Sequence, residues 1–162
     1  MTPRRHSLSL KARANALAPL PLMAVALLLT YATVIPASLV ALVDPHFAAG
    51  GPQLEKKGIA AMLLVGVIVA PLVETALTQW ACIRLLRRFG CRAGVAMFAS
   101  AALFGIAHTY SLFYMLMMAW VGLVLAAVFV IEDERGGRPF VLTASVHAMH
   151  NGIAALYFIF VA

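Results

Sequence analysis

Residues Gly58 to Ile83 read GIAAMLLVGVIVAPLVETALTQWACI, 26 positions with one charged side chain, Glu74. About 20 helical residues cross about 30 Å of hydrocarbon, so this run is long enough to span a bilayer. Other apolar runs surround it. Thirty residues between Arg13 and Asp44 carry no charge, and further segments follow at 93–108, 111–131 and 139–162. The segment at 93–108 is marginal in length, and only Thr109 and Tyr110 separate it from the next. The chain as a whole is 64% hydrophobic and 11% charged over 162 residues, with a mean hydropathy of +0.97. Soluble domains carry about 45–50% apolar and about 25% charged residues. A small soluble domain also leaves too much surface exposed to hide so much apolar area. The expected fold is all-α: a polytopic integral membrane protein of about five transmembrane helices, near 17–43, 58–83, 93–108, 111–131 and 139–162. A tail at 1–16 precedes a single membrane domain at 17–162.

Charge supplies an orientation. Arg4, Arg5, Lys11 and Arg13, then Arg84, Arg87, Arg88 and Arg92, then Arg135 and Arg138 flank alternate loops, leaving only Lys56 and Lys57 on the other side. The positive-inside rule puts the N-terminus and the 84–92 and 132–138 loops in the cytoplasm. The net charge of +6 is thus a topology signal that also attracts anionic headgroups, and no nucleic-acid partner is expected. Arg4 and Arg5 before an apolar run faintly resemble a twin-arginine signal. Ala14-Asn15-Ala16 precedes the apolar run, however, where a cleavage site would follow it, so the segment is expected to be a retained first helix. Cys82 and Cys91 flank an expected cytoplasmic loop, where thiols stay reduced. Their spacing fits no zinc motif, and they read as ordinary small hydrophobes.

An ionisable side chain in hydrocarbon costs about 2.5–3.5 kcal/mol on insertion scales and tends to mark function. Here the polar groups to explain are Glu74, His108, His147 and His150, with Asn151, Gln79 and Thr75. Glu74 has no basic neighbour one turn away. His108 sits at a helix junction, where a capping histidine is common. His147 and Asn151 are four apart on one face and could be interhelical glue. His150 shares that face as a supporting or headgroup-facing residue, and Phe104, four before His108, reads as packing. Taken together, a carboxylate, imidazoles and a carboxamide from separate helices can do acid–base chemistry and stabilise an oxyanion. The same groups can ligate zinc or relay protons in a carrier, and the residue types alone do not separate these three.

The order of the motifs resembles the CPBP family of intramembrane proteases, the CAAX-prenyl-protease and bacteriocin-processing (Abi) group. Its Glu-Glu-x-x-x-Arg, Phe-x-x-x-His and His-x-x-x-Asn signatures correspond here to Glu74-Thr75-Ala-Leu-Thr-Gln79, Phe104-Gly-Ile-Ala-His108 and His147-Ala-Met-His-Asn151. The match covers about 71–151, including Gly122-Leu-Val-Leu and the turn at Gly136-Gly137. The resemblance implies an intramembrane endopeptidase with a cavity inside the bilayer and no obligatory cofactor. Glu74 would be the general base, His108 would orient the water, and His147 with Asn151 would form the oxyanion hole. Thr75, Gln79, Phe104 and His150 would support them. Zinc on Glu74, His108 and His147 is the alternative. The substrate would be a membrane-anchored protein or peptide (a prenylated tail, a leader or a C-terminal sorting tail), and the location the bacterial inner membrane.

This chain departs from the family at two places. Thr75 stands for the second glutamate of the first signature and Gln79 for its arginine. Their charges cancel, so a neutral hydrogen-bonded pair is expected in place of a buried ion pair, an exchange that costs little when made whole. The departures raise a non-catalytic scaffold as the alternative; a proton-coupled carrier ranks third, since five helices without repeats are few for inverted halves. One depth comparison fits poorly. At about 1.5 Å per residue, Glu74 lies about 14 Å and His147 about 12 Å from the cytoplasmic ends of their segments, but His108 about 22 Å from Ala93. Either the third helix starts below the surface and tilts, or the expected boundaries are several residues off. The Thr109-Tyr110 turn would then line a water-filled cavity, where irregular backbone is tolerated.

Overall fold

The computed structural model describes residues 17–48 and 50–160, so the expected tail at 1–16 lies outside the described residues. Helix dominates, and no strand occurs among the described residues. The chain is an all-α polytopic membrane protein. Helices α1 (Pro19–Tyr31) and α2 (Val34–Val43) form one 25-residue span, Pro19–Val43. Its break at Ala32-Thr33 has a local cause. Pro36 has no N–H to give the Ala32 carbonyl four residues back, and its ring crowds that group; at the end of α1 the Thr33 hydroxyl donates to Thr30 O at 2.8 Å. The single turn α3 (Pro45–Ala48) and a 3₁₀ turn at Leu54–Lys57 lead into α4 (Ile59–Arg88). Then come α5 (Ala93–Ile106), α6 (Leu112–Glu134) and α7 (Pro139–Phe160).

The first span, α4 and α6 are long and apolar enough to cross a membrane, and α5 is a shorter apolar helix of 14 residues. At 22 residues α7 has the length of a span, but His147, His150 and Asn151 interrupt its apolar run. Large apolar side chains point outward as lipid requires: Leu42 is 82% exposed and Leu28 75%.

The second helix ends at Arg88, five residues beyond the expected boundary at Ile83. Its stop signal is Gly90 rather than the first arginine. With φ of 82°, Gly90 turns the chain so that its N–H reaches Arg87 O and the Cys91 N–H reaches Leu86 O, both at 3.0 Å. A left-handed glycine closing the last carbonyls is a common helix end. Arg84, Arg87 and Arg88 stay helical because their long stems reach from an apolar surface to water. Glu74 is therefore about 21 Å from the end of α4 at about 1.5 Å per residue, close to the depth of His108.

Two stretches of α4, Met62–Val69 and Thr75–Ala81, are π-helical and flank the α-helical piece Ala70–Glu74. The Ala70 N–H reaches five residues back to Val65 O. In that register the next carbonyl, Gly66 O, would take its hydrogen from residue 71. That residue is Pro71, which has none. A free carbonyl at membrane depth needs a partner, and Asn151 Nδ2 supplies it at 2.7 Å, tying α7 to α4.

Helices α5 and α6 approach closely because glycines face them at the crossing. A Cβ at Gly105 would stand 2.7 Å from Met115 O, and one at Gly122 would stand 2.7 Å from Phe104 Cβ. Small residues at such crossings let backbones touch where no hydrophobic force drives association. The Arg-rich end of the bundle is tied by polar contacts. Arg84 meets Asp133 at 2.8 Å, buried Glu132 pairs with Arg135 and accepts from the Arg138 N–H at 3.0 Å, and Arg135 donates to Leu17 O. A side chain at Gly137 would overlap the Glu132 carboxylate and push it from this place.

Candidate active site

The structure brings Glu74, His108 and His147 together from α4, the end of α5 and α7. Glu74 Oε2 lies 3.6 Å from His147 Nε2 and 3.8 Å from His108 Nε2. Both separations exceed a direct hydrogen bond and suit a bridging water. His147 is buried, with 3% of its side chain exposed, while Glu74 keeps 32% exposed to the cavity in front of it.

Hydrogen bonds fix what the rings can offer. His108 Nδ1 lies 2.6 Å from Phe104 O. A carbonyl only accepts, so Nδ1 carries a proton and Nε2 is the ring atom turned toward Glu74. Phe104 is fully buried and braces both imidazoles, with ring centroids 4.7 Å from His108 and 5.4 Å from His147. It rests on Gly122, so the close crossing of α5 on α6 sets the spacing of the two histidines.

Thr75 and Gln79 do not form the expected pair. The Thr75 hydroxyl lies 3.4 Å from His147 Nδ1, and the fully buried Gln79 carboxamide has no hydrogen-bond partner among the described residues. The physical reason is reach across the bundle. Facing α7 puts Thr75 against the His147 ring, and its hydroxyl is then spent there instead of along its own helix. Asn151 lines the cavity, but one of its N–H groups is committed to Gly66 O, leaving the second for other partners.

His150 also lines the cavity and acts as a tie to α1. The Thr30 hydroxyl donates to Leu27 O at 2.8 Å, so it accepts from His150 Nδ1 at 3.0 Å. The Tyr31 hydroxyl donates to His150 O at 2.6 Å, its ring 4.7 Å from the imidazole. Thr30 and Tyr31 gave no sequence signal, because both sit in a featureless apolar run. Tyr114, over the His108 ring at 6.0 Å, was also missed. Pro71 was a usable signal: a proline inside a membrane helix frees a carbonyl and calls for a polar partner elsewhere.

The cavity holds about 470 Å³ and runs from Glu74 to the Gly50–Leu54 loop. Its floor is polar and its walls are apolar.

Fold and site together define a polytopic membrane protein with a carboxylate–imidazole cluster at the bottom of an intramembrane cavity. Residues 56–153 match the family model for the type II CAAX prenyl endopeptidase Rce1-like proteins. The chain belongs to this family, the CPBP group of CAAX-type intramembrane proteases. No curated protein and no solved structure matches it.

Proposed function

We propose that the chain is an intramembrane endopeptidase that cuts a membrane-associated protein or peptide with water activated by Glu74. The supporting observation is that the Glu74 carboxylate and His108 Nε2 face one cavity 3.8 Å apart, and with the ring neutral both are acceptors. A water giving one hydrogen to each keeps its lone pair directed away from both, toward a peptide carbonyl. Glu74 takes the proton as the oxygen attacks, then passes it to the leaving amine, so water and one peptide bond become a carboxylate and an amine.

The carbonyl oxygen gains charge in this step. His147 is placed to answer it if the Thr75 hydroxyl donates to Nδ1, because the neutral ring then carries its proton on Nε2. The uncommitted N–H of Asn151 is the second donor of the oxyanion hole. Thr75 thus does for tautomer control what a carboxylate at that position would do in the opposite sense. No metal or cofactor is needed for this chemistry. The protein would act in a bacterial inner membrane with its N-terminus in the cytoplasm.

The test compares membrane-protein termini in cells carrying the wild-type chain, the Glu74→Gln variant or no chain. Peptides that shorten only with the wild type, and still do so in the presence of a zinc chelator, support the reading. Shortening that persists with Glu74→Gln removes it. A physiological role retained by Glu74→Gln with no terminus altered favours the non-catalytic scaffold that the departures at Thr75 and Gln79 raise.

A further inference from the structure

The cavity occupies one half of the bundle only. Its lining comes from residues 62–74 of α4, 104–110 at and just beyond the end of α5, 114–121 of α6 and 147–158 of α7, with the loop 50–54 at the mouth. On each of these four helices the lining stops at the level of Glu74 and His147. The remaining half is mostly packed, and the groove between α4 and α7 that reaches Phe140 and Val141 there does not include Glu74, His108 or His147. Ile83, Ala96, Ala126, Phe129 and Val130 form a buried cluster there, a second one built on Leu125, Val128 and Val146 adjoins it, and the Arg84–Asp133 pair spans the end. Water and a peptide can therefore reach Glu74 from the loop 50–54 end and not from the other.

Basic residues tell the two ends apart. Arg84, Arg87, Arg88, Arg92, Arg135 and Arg138 lie at the filled end, and Lys56 and Lys57 near the mouth. Short arginine-rich loops stay in the cytoplasm. We infer that the cavity opens on the extracytoplasmic face, so that the substrate is a membrane protein whose cleaved tail lies on that side. The chemistry of the cut rests on the protease reading above; the direction of opening rests on packing and charge.

Cysteine labelling tests the direction. In a background of Cys82→Ser and Cys91→Ser, single cysteines are placed at the mouth (Pro52→Cys), in the cavity wall (Tyr110→Cys) and at the filled end (Gly94→Cys), where a Cβ meets nothing within 4 Å. A membrane-impermeant maleimide added to intact bacterial cells should label Pro52→Cys and Tyr110→Cys, and should reach Gly94→Cys only in everted vesicles. Labelling of Gly94→Cys in intact cells with the other two protected overturns the inference. So does any Glu74-dependent cut in a cytoplasmic tail, whereas cuts confined to extracytoplasmic tails support it. The expected labelling with no Glu74-dependent cut anywhere removes the protease reading and upholds the outward opening.

Discussion

The two halves of the bundle are made from the same four helices, α4 to α7, and are filled in opposite ways. Toward the arginine-rich end, aromatic and aliphatic side chains pack into a buried cluster, and the charged side chains are held in pairs. Toward the other end the helices part around a cavity floored by Glu74, His108 and His147. The difference begins in the backbone. The crossing of α5 on α6 is tight at Gly105 and Gly122, while α4 is widened by two π stretches on either side of Glu74. Such distortions recur at functional sites. Here the first follows from Pro71, and its spare carbonyl is what Asn151 holds. A packed half gives the bundle its stability, and a parted half gives water a place to stand.

That contrast can be broken by substitutions that act on one half and not the other. The largest effect is expected from Glu74→Gln, which keeps the shape and removes the base. Turnover should fall by about 10²–10⁴-fold, the contribution typical of general base catalysis, with thermal unfolding in detergent unchanged. A large loss of stability instead would make Glu74 a structural group. Next, His147→Ala should cost about 10²–10³-fold, as for an oxyanion donor. His150→Ala, which cuts a tie to α1, should spare most turnover per folded molecule. The opposite ranking would move the chemistry to His150.

Phe129→Ala probes the packed half. It should lower stability toward the low end of about 3–5 kcal/mol, because lipid is as apolar as the core and only packing is lost. Turnover per folded molecule should hold, and a selective loss of turnover would mean that the halves are coupled. A smaller effect is expected from Thr75→Val. Losing one hydrogen bond worth about 0.5–1.5 kcal/mol should slow turnover up to about tenfold, with Thr75→Ser restoring it. If Val matches wild type, the hydroxyl does not set the His147 tautomer. The smallest effect is Arg84→Ala: its partner Asp133 is 43% exposed, and surface pairs contribute about 0–1 kcal/mol, so a shift in unfolding well above that would give the rim a role in closing the packed half.

Much of the site was legible because each of its parts is anomalous where it stands. A carboxylate or an imidazole within an apolar helix stands out without any structure, and the His147–Asn151 spacing put both on one face. Glu132 went unremarked although it is buried, since its place among charged residues at a helix end looked ordinary. The helix boundary at Ile83 was read from the first charge, while the chain ended its helix at Gly90, where the backbone could turn. The pairing of Thr75 with Gln79 was expected because the charges they replace cancel, but the hydroxyl found His147 on another helix.

The sequence by itself determined that this is a helical membrane protein, which end carries the arginines, and which few polar side chains lie within the apolar runs. These are properties of local composition and period, and lipid admits few alternatives to a helix. Tertiary structure alone decided that the three ionisable groups meet, that Phe104 on Gly122 sets their spacing, that Asn151 answers the carbonyl released by Pro71, and that one half of the bundle is open. Each of those depends on how closely neighbouring helices approach, a distance set by side chains remote from one another in the chain.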